Sequence, residues 1–172
     1  MEEIKKYFKT EDMQDKFRII SRICAVVFLA AGFIINVAYL FRYGRSLLDS
    51  DMAAELIYSA VQNSTHSIIE KNWFYSTEIR VLNMNWLYRA GLLLFPHNWL
   101  YARIVGMCFG MLLMISGMLL TFRACDLGTM GIWITGFSIW PVGLWYQWQT
   151  LFGGQYMPYT IISFFCIWSF VT

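Results

Sequence analysis

Between Arg22 and Arg42 the chain runs from Ile23 to Phe41 without one charged side chain. A helix needs roughly 20 mostly apolar residues to cross the ~30 Å hydrocarbon core of a bilayer. In lipid, a single segment satisfies its own backbone hydrogen bonds only as a helix. Two more runs are long enough to span: Ile104 to Phe122, between Arg103 and Arg123, and about Leu127 to Trp148, which holds no charge. A last run, Tyr156 to Thr172, is uncharged and reaches the final residue with no basic or polar flank to anchor it. The expected fold is all-α and polytopic, with about four transmembrane helices at 23–41, 104–122, 127–148 and 156–172. The unflanked last run reads as a truncated helix, which makes the chain the N-terminal fragment of a larger membrane protein. A complete short protein with a tilted final helix is the plainer alternative.

Composition agrees: 58% hydrophobic and 19% aromatic residues against 14% charged lie far from the averages of a soluble domain. The basic residues flank apolar runs rather than forming an arm interleaved with aromatics, so no nucleic-acid partner is expected. Cys24, Cys108, Cys125 and Cys166 lie in or at the ends of apolar runs and read as small hydrophobes, with neither disulfide nor metal spacing. His66 and His97 are isolated and read as surface residues. Met107, Met111, Met114 and Met118 make a stripe at helical spacing, and Gly106 and Gly110 a small-xxx-small pair. Both suit packing against helix partners in the membrane. Pro141 is expected to kink the third span.

Lys5, Lys6, Lys9, Lys16, Arg18 and Arg22 precede the first span, and Arg123 follows the second. The positive-inside rule puts these on the cytoplasmic side and the 42–103 loop outside. Residues 1–22 carry Ile4, Tyr7, Phe8, Met13, Phe17 and Ile20 at helical spacing, as an amphipathic helix on the inner leaflet would.

The outer loop holds the chemistry. Leu48-Asp49-Ser50-Asp51-Met52-Ala53-Ala54-Glu55 opens a helix expected over 51–62, with Asp49, Ser50 or Asp51 as its cap. Asp51 and Glu55 are four apart on one face, and Asp49 lies just before the first turn. Two carboxylates about 6 Å apart repel by about 3 kcal/mol at an effective dielectric of about 20. Holding them together takes a cation, an arginine or a shared proton. A second loop helix, expected over 77–94, starts at the capping run Ser76-Thr77-Glu78. Its apolar stripe of Ile79, Leu82, Trp86, Ala90 and Leu93 would lie along the membrane surface, with Arg80 off the stripe.

The plan of one anchor, an acidic motif opening a long outer loop, two loop helices and closely spaced further spans resembles the C-type (GT-C) membrane glycosyltransferases. The likeness is nearest to poorly characterised bacterial membrane proteins of that broad class. It is carried by Leu48 to Leu56, by Asn72-Trp73-Phe74-Tyr75-Ser76-Thr77-Glu78-Ile79-Arg80-Val81-Leu82-Asn83 and by Gly154-Gln155-Tyr156-Met157-Pro158. In related transferases the loop motif starts Asp-Glu; here Ser50 stands in place of that Glu and Asp51 follows, which leaves Asp49 and Asp51 both open as the base.

The resemblance implies residence in a bacterial plasma membrane and transfer of a sugar from a polyprenyl-phosphate donor to an acceptor hydroxyl. Asp49 or Asp51 would act as base, Glu55 would support it, and Arg80 and Arg89 would clamp the leaving phosphate. A divalent cation, magnesium or manganese, could bridge Asp49 and Asp51. The fragment alone is expected to have little or no transferase activity. A dull reading stands beside each role: the acids cap a helix, and the arginines anchor to lipid headgroups. The alternative for the whole is a non-enzymatic membrane accessory subunit.

Overall fold

The computed structural model describes residues 2–71, 73, 83–152 and 156–172, and the side chains of these except 2–12 and 149. The elements among them are all helical: α1 (Glu2–Tyr43), α2 (Ser50–Thr65), α3 (Asn85–Leu94), α4 (Trp99–Ala124), α5 (Gly128–Ile139), α6 (Leu144–Tyr146), a π-helical turn (Gln147–Leu151) and α7 (Tyr156–Val171). Two helices are long and apolar enough to cross a membrane, Met13–Tyr43 within α1 and Trp99–Ala124; Tyr156–Val171 is apolar but shorter. The tail expected as a separate helix over 1–22 continues into the first apolar run unbroken, since neither Pro nor Gly occurs before Gly32. The proposed cap Ser76-Thr77-Glu78, with Ile79 and Leu82, lies outside the described residues, as do Gly154 and Gln155.

Helix directions follow from which residues touch. On α1 and α5, Gly136 faces Phe28 and Gly32 faces Ile139, so these two run side by side in one direction. On α4 and α7, Gly110 faces Met157 and the Thr121 hydroxyl donates to the Phe164 carbonyl at 2.8 Å, so this pair is also parallel. The methionine stripe Met107, Met111, Met114 and Met118 lies in the core these helices enclose.

The run expected to cross at 127–148 as one helix is interrupted. Pro141 has no amide to donate and forces its predecessor out of the helical region, and Trp140 is extended at φ −65°, ψ 137°. The 12 residues of α5 reach only about 18 Å at 1.5 Å per residue. Its last carbonyls find side-chain donors instead. Asn36 of α1, fully buried, donates to the Ile139 carbonyl at 2.7 Å and to the Gly32 carbonyl at 2.8 Å. The Tyr146 hydroxyl donates to the Ser138 carbonyl at 2.6 Å. Gln147, also buried, donates to Asn36 Oδ1 at 3.4 Å.

The loop helix expected along the membrane surface folds back on the first turns of α4. Gly91 abuts Ala102, and Gly106 abuts Leu87, so the two backbones meet at glycine on both sides. A Cβ on Gly91 would overlap the Ala102 carbonyl, and one on Gly106 would come 2.8 Å from the Leu87 carbonyl oxygen. Because the obstacle is backbone, no rotamer change relieves it. Gly91→Ala is expected to cost about 3 kcal/mol, the upper range for overpacking. Gly143→Ala should be neutral, because that residue is extended at φ −169° with no neighbouring atom within 4 Å. Thermal unfolding of both variants in detergent compares them directly.

Candidate functional site

The acidic motif is placed by a local signal. Asp49 is extended (φ −91°, ψ 177°), and its Oδ1 accepts the Met52 amide at 2.7 Å, capping α2. The capping reading of Asp49 is thus realised in the structure. Two turns on, Ser59 donates to the Asn85 carbonyl at 3.0 Å, and the Asn85 amide donates to Gln62 Oε1 at 3.0 Å, so α2 and α3 are zipped by a buried polar seam. That seam aims Glu55, whose Oε2 accepts the Met84 amide at 3.1 Å, at the start of α3.

Beneath the acids lies a residue read from sequence only as the flank of a span. Arg103 is fully buried. Its guanidinium donates to the Gly44 carbonyl, to the Leu47 carbonyl at 3.3 Å, to the Met52 sulfur at 3.3 Å and to the Phe152 carbonyl at 2.9 Å. Nε has no partner among the described residues. One side chain therefore ties the end of α1, the link to α2, α2 itself and the exit of the π-helical turn. The described acceptors are neutral, so the positive charge is solvated there by carbonyl dipoles and a thioether sulfur.

Tyr88 connects this cation to the acids. Burial pushes its phenol well above the ordinary tyrosine value of 10.0; the Arg103 guanidinium, in hydrogen-bonding reach, opposes that, while the Glu55 and Asp49 carboxylates reinforce it. The phenol therefore keeps its proton throughout the physiological range. Both carboxylates lie near enough to Tyr88 to bear on its phenol.

The other expected residues fall elsewhere. Asp51 is exposed on the first turn of α2 and is not among the charges acting on Tyr88. Arg89 points to the far end of α2: Nε donates to Asn63 Oδ1 at 3.0 Å and Nη1 to the Ser67 carbonyl at 3.2 Å. From Glu55 to Asn63 is eight residues, about 12 Å along the helix, so Arg89 fastens α3 to α2 away from the acids. Arg80 lies outside the described residues. Among the described residues no three His, Cys, Asp or Glu side chains gather as a metal ion would require. Magnesium wants six oxygens in near-octahedral array. Asp49 and Glu55 each place one oxygen on a backbone amide.

Sequence reasoning missed Arg103 and Tyr88. Arg103 shares its helix face with Gly106 and Gly110, three and seven residues on. A charge on the small-residue face of a span is a charge directed inward, and that spacing was the available signal. Neither a protein-family model, nor a curated protein sequence, nor a solved structure matches this chain.

Proposed function

We propose that the chain is a plasma-membrane protein of GT-C-like plan that takes part in moving a sugar from a polyprenyl-phosphate donor to an acceptor hydroxyl. On this reading α1, α4, the interrupted α5 to π-helix segment and α7 make four passages, with the N-terminus in the cytoplasm and the acidic cluster at the outer face. The observation that carries the proposal is that Asp49 and Glu55 are both fixed by amide hydrogen bonds at the start of α2, while the guanidinium of the fully buried Arg103 reaches Met52, between them in sequence.

Of the two candidate bases, Asp49 is the better placed. It is half-buried, whereas Asp51 is exposed. Oδ1 of Asp49 is held by the Met52 amide, which fixes the plane of the carboxylate and leaves Oδ2 to receive a hydroxyl proton. As the acceptor oxygen attacks the anomeric carbon, the bond to the lipid phosphate breaks and the phosphate leaves with the electron pair. The field of Arg103, whose described acceptors are neutral, favours negative charge at this place. No step is assigned to a metal ion.

A second reading, a non-enzymatic accessory subunit, draws on a specific observation as well: Asp49 and Glu55 each satisfy a backbone amide, as purely structural acids do. A photoreactive polyprenyl-phosphate sugar added to the membrane-embedded chain separates the two. Cross-links in the peptide spanning Leu47 to Glu55, competed by unlabelled donor, are expected. Labelling confined to the apolar faces of α1 and α4, with no competition, would favour the accessory role.

A further inference from the structure

At the end of the molecule opposite the acidic motif, α1 and the start of α5 form an open surface groove of about 530 Å³ lined by Met13, Gln14, Phe17, Arg18, Ser21 and Thr129. We propose that it holds an anionic phospholipid, with the headgroup phosphate at Arg18, Ser21 and Thr129 and an acyl chain along α1. The inference rests on the membrane location proposed above.

The polar lining is made of donors. Arg18 offers its guanidinium and Gln14 its carboxamide nitrogen. Ser21 Oγ accepts the Trp133 indole N–H at 3.3 Å, so its own proton remains to be given. Thr129 adds a second hydroxyl, on the first turn of a helix whose N-cap, Leu127, supplies no side-chain acceptor. The acid facing this group is Asp15, 3.9 Å from Arg18 Nη1 and exposed at the rim. Among the described lining residues no carboxylate faces a quaternary ammonium headgroup, and Asp15 is shared with Arg18. A phosphate finds several donors.

The apolar lining decides between a lipid and a free anion. Met13 and Phe17 form one wall and are themselves exposed, and from them an exposed stripe continues through Ile20, Cys24 and Val27. These residues recur at three and four positions on one face for about 21 Å of helix. Inorganic phosphate would leave that stripe uncovered, whereas a phospholipid covers it with its own chain.

The test uses the full chain, purified in detergent with phosphatidylglycerol, and native mass spectrometry of what stays bound. One retained phosphatidylglycerol per chain is expected, with phosphatidylcholine retained far less. Arg18→Gln should lower retention roughly tenfold, the loss of one hydrogen bond to a charged group, and Ser21→Ala with Thr129→Val should lower it severalfold. Arg42→Gln, the same charge change at the opposite end of α1, should leave retention unchanged. Arg18 and Asp15 are 79% and 74% exposed, so the first variant does not threaten the fold. Equal retention of phosphatidylcholine, an equal loss in Arg42→Gln, or complete displacement by millimolar inorganic phosphate would each overturn the proposal. A chain that stays in solution without detergent would instead overturn the membrane location.

Discussion

Replacing Arg103 by alanine is expected to destabilise the protein by about 3–5 kcal/mol. Hydrogen bonds to a charged group are worth roughly 1.5–3 kcal/mol each, and this guanidinium serves the carbonyls of Gly44, Leu47 and Phe152 from a fully buried position. The sum is not additive, because the carbonyls share one donor group, but a void the size of an arginine adds its own penalty. For a chain of this length the change corresponds to a fall in Tm of roughly 10 °C. Arg103→Lys should recover less than half of the loss, since a single ammonium cannot reach carbonyls on separate segments as a planar fork does. Unfolding followed by circular dichroism in detergent measures both variants. A Tm for Arg103→Ala within about 2 °C of the parent would mean that the four-way tie is not a source of stability.

Asp49→Asn is expected to lower sugar transfer by roughly 10²–10⁴, the usual contribution of a positioned base. The measurement is turnover of a polyprenyl-phosphate sugar in membranes where this chain, alone or within a longer polypeptide, supports transfer. Asparagine was chosen because it caps a helix as well as aspartate does, so the Met52 amide keeps its acceptor and α2 keeps its start. A loss in Asp49→Asn then reports the missing charge and not a frayed helix. Asp51→Asn, on the exposed side of the same turn, should change the rate little. The reverse pattern would move the base to Asp51, and equal rates in both would leave the acids with structural duties only.

The two long apolar helices were legible because a charge-free run such as Ile23 to Phe41 satisfies its own backbone most simply as one helix. The start of α2 was legible too, since Asp49 carries a local capping signal just ahead of helix-forming residues. What stayed hidden depends on partners distant in sequence. Arg103 read as a flank because its acceptors come from Gly44, Leu47, Met52 and Phe152, and nothing local announces them. Asn36 and Gln147 are uncharged and sit inside apolar runs, so hydropathy passes over them. Pro141 was visible, but whether it bends or ends a helix depends on who receives the freed carbonyls, and here Asn36 and Tyr146 do. Arg89 is placed by Asn63 and Ser67, residues that no local pattern links to it.

The short reach of α5 bears on biogenesis. Some 18 Å of helix ending in bare carbonyls is poorly suited to leave the translocon alone for about 30 Å of hydrocarbon. α1 carries in Asn36 the group that seals that end. If the chain enters a bilayer as proposed, α5 has its open end sealed only once it docks against α1, and a failed pairing would leave that polar seam exposed to lipid.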